Sequence, residues 1–380
     1  MNIYVLGRSL PIYKNTNIGI FEYGQARLLS NDLKVTYLFC DNQSIKIHRK
    51  VKQYYKHQDN LLVSGIYFPI GGIYKPLYEE IKYLCFKQVF DKAMNTDNNY
   101  PDIIHVHFPL LTLNKKIIDY IKSKNVKIVV TEHWSKILEK KLTAYEVKKL
   151  NIIMKNVNSF NVVSATLKSS VEFYRYNDNL TVEVIPNFVP NIFLEKDTKN
   201  IDNDGKFNLA FIGRFSKNKN IKFLIESMPQ LIKKIPNAQL NIYGGGFEDN
   251  ALKRVVNELN LDSYVKFHGY VSNDEVPNKL QNNDVYVSAS LFETFGVPYI
   301  EAMALGIPVI SPKNGPIDDV IRANDGILFI NNDIDSYNSA VLAMYNKYKN
   351  IDKIKIKKNI ENMFSEETIK KNLLSIYNSI

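Results

Sequence analysis

The 380-residue sequence predicts an α/β protein with two domains, each a parallel sheet built from βαβ units. Three observations carry this expectation. Short β-branched runs alternate with helical patterns along most of the chain. The length suffices for two full-sized cores. A polar, acidic segment without period, Phe193–Gly205, separates the halves and reads as a linker.

Taken in order, residues 2–6, 34–39, 61–68, 103–107, 127–131, 160–163 and 182–185 are the strands expected of the first half. After the first strand, a loop from Gly7 through Asn17 and Gly19 enters a helix near Ile20, and Gly19 allows backbone to approach a ligand closely. Lys75–Met94 reads as a helix with Leu77, Ile81, Leu84, Cys85, Val89 and Met94 on one side and Lys82, Lys87 and Lys92 flanking it. Trp134–Val157 mixes Ile137, Leu138, Leu142, Leu150, Ile153 and Met154 with Lys136, Lys140, Lys141, Lys148, Lys149 and Lys155. Such basic amphipathic helices either cover a core or dock on an anionic membrane surface. Residues 207–212, 238–243, 264–268, 284–288, 307–310 and 327–329 are the strands expected of the second half. The last stretch, Ser365–Ile380, is an amphipathic helix with Leu373, Leu374 and Tyr377 on one side, Ser365 as N-cap and Glu366 and Glu367 in its first turn.

Composition bounds the function. Hydrophobic content of 45% and charged content of 23% are those of a globular protein. No apolar run approaches the ~20 residues that cross a bilayer. The opening Met1–Gly7 reads as a core strand, not a signal peptide. Two cysteines, Cys40 and Cys85, make neither a disulfide framework nor a zinc site and fit a reducing cytoplasm. The net charge of +10 resides in residues 1–200, where 28 Lys and Arg face 18 Asp and Glu. That asymmetry points to an anionic partner, either a membrane surface or a phosphate-bearing acceptor; no nucleic-acid motif accompanies it.

Four strings carry chemistry. Asp102-Ile-Ile-His105-Val-His107 puts two histidines on one strand face, but no third metal ligand is nearby, so they read as packing groups. Thr131-Glu132-His133-Trp134 ends another strand, and strand C-termini are where open α/β sheets bind ligands. Ile212-Gly213-Arg214 runs into a loop with Lys217 and Lys219, a cationic turn suited to phosphate oxygens. Then Glu293-Thr-Phe295-Gly296-Val297-Pro298 leads a strand through a tight turn into a helix that holds Glu301, eight positions beyond Glu293, and stops at Gly306 before Pro308. Free N–H groups at that helix start attract anions and hydroxyls. Asp333-Ile-Asp335 lies in a polar loop and is rejected as a metal motif.

The run Glu293-Thr-Phe-Gly-Val-Pro-Tyr-Ile-Glu301-Ala-Met-Ala-Leu-Gly-Ile-Pro-Val resembles the signature of retaining glycosyltransferases of family 4. The likeness is tight from Ile212 to Gly326 and looser before it. It implies the GT-B architecture, two Rossmann-like domains facing an interdomain cleft: residues 1–190 on the acceptor side, joined by the returning helix 365–380, and residues 205–364 binding the nucleotide sugar. By resemblance, Glu293 faces the donor sugar and Glu301 holds the ribose hydroxyls. Backbone amides at Phe295, Gly296 and Val297 meet sugar and distal phosphate, and Arg214 and Lys219 clamp the diphosphate. Gly244 and Gly246 border the nucleotide, Tyr270 and Val271 line the base, and His133 reaches the sugar from the first domain. Asn17 and Gly19 lie in the phosphate-touching first loop. Asn218 and Asn220 depart from the family's acid and glycine, although asparagine tolerates left-handed φ. The implied reaction is metal-independent, cofactor-free transfer from a nucleotide diphosphate sugar, UDP first among them, to a glycan or lipid-linked acceptor in bacterial surface glycoconjugate synthesis. The expected location is the cytoplasm, with the basic first half as the candidate surface for peripheral docking on the inner face of the membrane. Another GT-B chemistry, such as a sugar phosphorylase or a nucleotide-sugar epimerase, or a non-catalytic sugar-nucleotide-binding subunit, remains open at this point.

Overall fold

The computed structural model describes residues 1–11, 18–44, 49–58, 60–70, 74–96, 99–176, 180–198, 205–322 and 325–380. The chain divides into two units, Met1–Pro186 with Lys370–Ile380, and Asn187–Ile369.

Unit 1 holds strands β1 (Asn2–Gly7), β2 (Lys34–Gln43), β3 (Lys52–Gln58), β4 (Leu61–Pro69), β5 (Ile103–His107), β6 (Lys127–Glu132), β7 (Ser159–Val162) and β8 (Val182–Val184). They form one sheet in the order β3-β4-β2-β1-β5-β6-β7-β8. Every pairing is parallel except β3 with β4, which are antiparallel. Setting β3 aside, the parallel strands run in Rossmann order with one further edge strand. Sequence reading missed β3, whose KQYYKHQ lacks clean alternation because both of its faces are largely exposed.

Unit 2 holds β9 (Phe207–Phe215), β10 (Ala238–Gly246), β11 (Val265–Gly269), β12 (Val285–Val287), β13 (Val309–Pro312) and β14 (Gly326–Phe329). The order β11-β10-β9-β12-β13-β14, all parallel, is the doubly wound 3-2-1-4-5-6 pattern. Helices Ile221–Lys234 and Ile334–Lys347 cover one face, burying Phe207, Phe211, Phe223, Phe329 and Tyr337 with the strand aliphatics. In each sheet the winding reverses beside the first strand, at β1/β5 and at β9/β12. Strand C-termini open a crevice at that reversal.

Several helices differ from their sequence reading. Lys75–Asn95 forms as expected, but its buried face is Lys82, Cys85, Phe86, Val89, Phe90, Ala93 and Met94. Leu77 and Leu84 are exposed and Lys82 is buried. The two phenylalanines set the rotation, and the Lys82 ammonium is satisfied by donating to the Leu111 carbonyl. The Trp134–Val157 stretch is broken into Ser135–Leu138 and Ala144–Met154, the second opened by a Thr143/Glu146 capping box. Phe193, assigned to the linker, is buried in a short helix, Asn191–Leu194. Ser365 caps the last helix, its Oγ accepting from Thr368 N at 3.3 Å, and Leu373 and Tyr377 are buried. Asp333 caps Ile334–Lys347, accepting from Ser336 N at 2.9 Å.

Candidate functional site

In unit 2 the site assembles at the β9/β12 reversal. β9 delivers Arg214 and, through a single 3₁₀ turn, Lys217 and Lys219. Asn220 ends that turn at φ 48°, ψ 42°, so asparagine takes the left-handed position where a glycine was expected. Asn218 carries a second task that sequence reading did not see. Its Nδ2 donates to Phe292 O at 3.0 Å, its Oδ1 accepts from Phe292 N at 3.3 Å, and its carbonyl accepts from Leu291 N at 2.8 Å. Three bonds therefore pin the loop after β12 onto the loop after β9. The result is an ion pair between residues 74 positions apart: Lys219 Nζ lies 2.5 Å from Glu293 Oε1, with side chains 22% and 12% exposed. Arg214 has no carboxylate partner among the described residues, and its guanidinium sits 5.5 Å from the exposed Phe247 ring.

Beyond Glu293, the N–H groups of residues 293–297 have no acceptor among the described residues. Gly296, at φ 84°, caps helix Val297–Ala304 without a side-chain bond. A row of free donors thus stands at a helix N-terminus next to the Lys219–Glu293 pair, an arrangement made for an anion or for hydroxyl oxygens. Phe295 is not available to a ligand by its side chain, which is buried against Phe364 at 5.5 Å, so only its backbone can contribute. On the same helix Glu301 is partly exposed and its carboxylate has no hydrogen-bond partner among the described residues; desolvation pushes its pKa up to about 8.

The glycines expected to face a ligand serve the sheet first. A Cβ at Gly244, which has φ 131°, would sit 1.9 Å from the Gly213 carbonyl oxygen, and one at Gly246 would sit 2.4 Å from that of Phe215. β9 and β10 approach so closely at their ends that only glycine fits. Gly244→Ala is expected to spread these strand ends and cost roughly 1–3 kcal/mol as a strained backbone position; chemical denaturation checks it. After β11, Tyr270 is 68% exposed and Val271 partly so, while His268 stacks on Tyr243 at 4.4 Å and bonds Asn241 Oδ1 at 2.8 Å.

Unit 1 concentrates its polar groups at the β1/β5 reversal. Arg8, directly after β1, donates Nε to Glu22 Oε1 at 2.7 Å and lies 3.4 Å over the Phe108 ring. Phe108 adopts φ 51°, a strained value for a bulky residue and a marker of functional geometry. It stacks on His133 at 4.7 Å. His133 is 7% exposed, and burial with the nearby Arg8 charge lowers its pKa to about 3, so the imidazole is neutral. Buried Glu132 accepts from the backbone N–H of His133 and Trp134 at 2.8 and 2.9 Å, and desolvation lifts it to about 7. Sequence reading passed over Arg8, Glu22 and Glu132; an arginine immediately after the first strand was the available signal. Gly19 takes φ 90°, and a Cβ there would lie 2.1 Å from Ser9 O, so the close approach it permits is to the preceding loop. Asn17 lies outside the described residues. Among the described residues no three His, Cys, Asp or Glu side chains gather to hold a metal ion, and no helix is long and apolar enough to cross a membrane.

Two doubly wound sheets, the second with a cationic, amide-lined turn, are the elements of the GT-B fold. Sucrose-phosphate synthase from Thermosynechococcus elongatus has the same fold, with a TM-score of 0.78 and 18% identity across 99% of this chain and 98% of that one. HepE of Anabaena, solved in complex with UDP, gives 0.75 and 16% with both chains fully covered. A family model described as glycosyl transferases group 1 matches residues 193–363. The alpha-monoglucosyldiacylglycerol synthase of Acholeplasma laidlawii is 32% identical over 139 residues. The chain spans about a third of the length of the first curated relatives it matches, 36% and 35%.

Proposed function

We propose that the protein is a retaining glycosyltransferase of family 4 that moves a sugar from a nucleotide diphosphate sugar to a glycan or lipid-linked acceptor, without a metal. The Lys219–Glu293 pair, Arg214 without a carboxylate partner at the end of β9, and the open amides of residues 293–297 carry the reading. When the anomeric C–O bond breaks, the leaving diphosphate gains charge on its oxygens. Arg214, Lys219 and the amides at the helix start stabilise that charge, the largest catalytic term in many enzymes. Glu293 is bound to a lysine, which suits holding a sugar hydroxyl rather than attacking the anomeric carbon. The acceptor hydroxyl then attacks from the face the diphosphate leaves, and a phosphate oxygen takes its proton. Glu301 receives the ribose hydroxyls, Tyr270 and Val271 the base, and His133 a sugar hydroxyl.

UDP is the nucleotide favoured, by likeness to HepE, which was solved with it. A lipid-linked acceptor is supported by the synthase from Acholeplasma laidlawii and by the basic first half. Lysines stand beside exposed aromatics in unit 1, Lys75 at 3.5 Å from the Tyr145 ring and Lys140 at 4.6 Å from Phe173, and such pairs suit an anionic leaflet on the cytoplasmic side. A panel of UDP sugars with the purified protein, read by NMR, tests the function. An α-configured donor should release an α-configured sugar or glycoside, at a rate unchanged by a chelator. Inversion, or loss of activity with the chelator, contradicts the mechanism. Flotation with anionic and neutral liposomes tests the surface; equal binding to both removes it.

A further inference from the structure

Three buried histidines adjoin one another in unit 1. The rings of His105 and His107 stack at 4.7 Å, and those of His107 and His133 at 5.2 Å. Burial keeps all three neutral, holding His105 and His133 at about 3 and His107 well below its ordinary value. A neutral imidazole has one N–H and one lone pair, and its partners decide which nitrogen carries the proton.

For His105 the partners leave one answer. Nδ1 lies 3.0 Å from the Gln25 amide nitrogen, which can only donate, and 2.6 Å from the Tyr377 hydroxyl. Nδ1 is therefore the acceptor, and the proton sits on Nε2, which donates to Thr131 Oγ1 at 2.7 Å. His107 is reversed. Its Nδ1 meets His133 Nε2 at 2.9 Å, while its own Nε2 is buried with no partner. Of the two arrangements of that bond, one orphans a buried N–H and the other a buried lone pair. Buried N–H groups without a partner are the rarer case.

We infer that His107 is a positioning residue: it donates from Nδ1 to His133 Nε2 and so fixes His133 with its proton on Nδ1. That Nδ1 has no partner among the described residues and, unlike His107 Nε2, is not sealed from solvent. His133 consequently presents only a donor. It binds oxygen lone pairs on its ligand and cannot take a proton there. The ligand class is an oxygen acceptor, a sugar hydroxyl or phosphoryl oxygen, and the general-base role is excluded for this side chain. The assignment of the proton stands on unit 1 alone; only the identity of the ligand atom rests on the function proposed above.

Nitrogen-15 NMR of histidine-labelled protein at neutral pH reads the tautomer directly, and six histidines keep the assignment tractable. His133 is expected to show a protonated Nδ1 and an unprotonated Nε2. In His107→Asn, whose amide can still donate, that pattern should persist. In His107→Leu the donor to His133 Nε2 is lost, and kcat should fall about 5- to 10-fold, the scale of one hydrogen bond, with KM changed less, whereas His107→Asn keeps near-parental kcat. A wild-type His133 protonated on Nε2, or a parental kcat in His107→Leu, overturns the inference. If His133→Ala leaves transfer intact, the sugar contact fails while the tautomer assignment stands.

Discussion

Arg214→Ala and Lys219→Ala should each slow sugar transfer at least ~100-fold, the loss expected when one preorganised electrostatic donor is removed. The two changes fail for different reasons. Arg214 has no carboxylate partner among the described residues, so its removal takes away a guanidinium fork and little else. Arg214→Lys should recover only part of the loss, because an ammonium cannot bind two oxygens side by side. Lys219 is paired with Glu293, so Lys219→Ala also leaves a mostly buried carboxylate without its cation, next to a diphosphate that repels it. Its defect should be the larger in UDP binding and should shrink in the Lys219→Ala, Glu293→Gln double variant. Steady-state kinetics and calorimetric titration of UDP measure both. Near-normal turnover in both single alanine variants removes the diphosphate clamp.

Glu301→Gln should move stability and binding in opposite directions. In the folded protein desolvation raises this carboxyl to about 8, above its value in the unfolded chain. The folded state therefore keeps a proton that the unfolded chain releases, and stability falls as pH rises from the ordinary carboxylate range through 8. Glutamine abolishes that slope, so the variant should melt higher than the parent at pH 8 to 9 and no lower at pH 5. Ribose hydroxyls donate best to the ionised carboxylate, so parental UDP affinity should climb as pH approaches 8. The variant should lose that climb and bind UDP at least ~10-fold more weakly at pH 9, as for one charge-assisted hydrogen bond. A parallel pH dependence in parent and variant would remove Glu301 from the nucleotide site.

Much of the fold was legible because its signals are local. Every expected strand formed, since a β-branched run bounded by turn residues states its own conformation. The exception, β3, is an exposed edge whose partner face supplies no pattern. The candidate site was legible as residue types, yet several expected tasks changed on folding. Gly19, Gly244 and Gly246 permit contact between neighbouring loops and strands before any contact with a ligand. Leu77 and Leu84 were expected inward and face solvent, because Phe86 and Phe90 bury more area on the other side of the helix.

By itself the sequence determined the α/β class, the two parallel sheets and the cationic and acidic residues of the second half, because strand runs, turns and motif strings are written within a few consecutive positions. Only the tertiary structure decided that Lys219 would meet Glu293, that Asn218 would tie the two loops together, and that His107 would face His133 with its other nitrogen unpartnered. Such pairings depend on which distant segments share a strand end, and burial then sets the charge and proton positions that the residues carry.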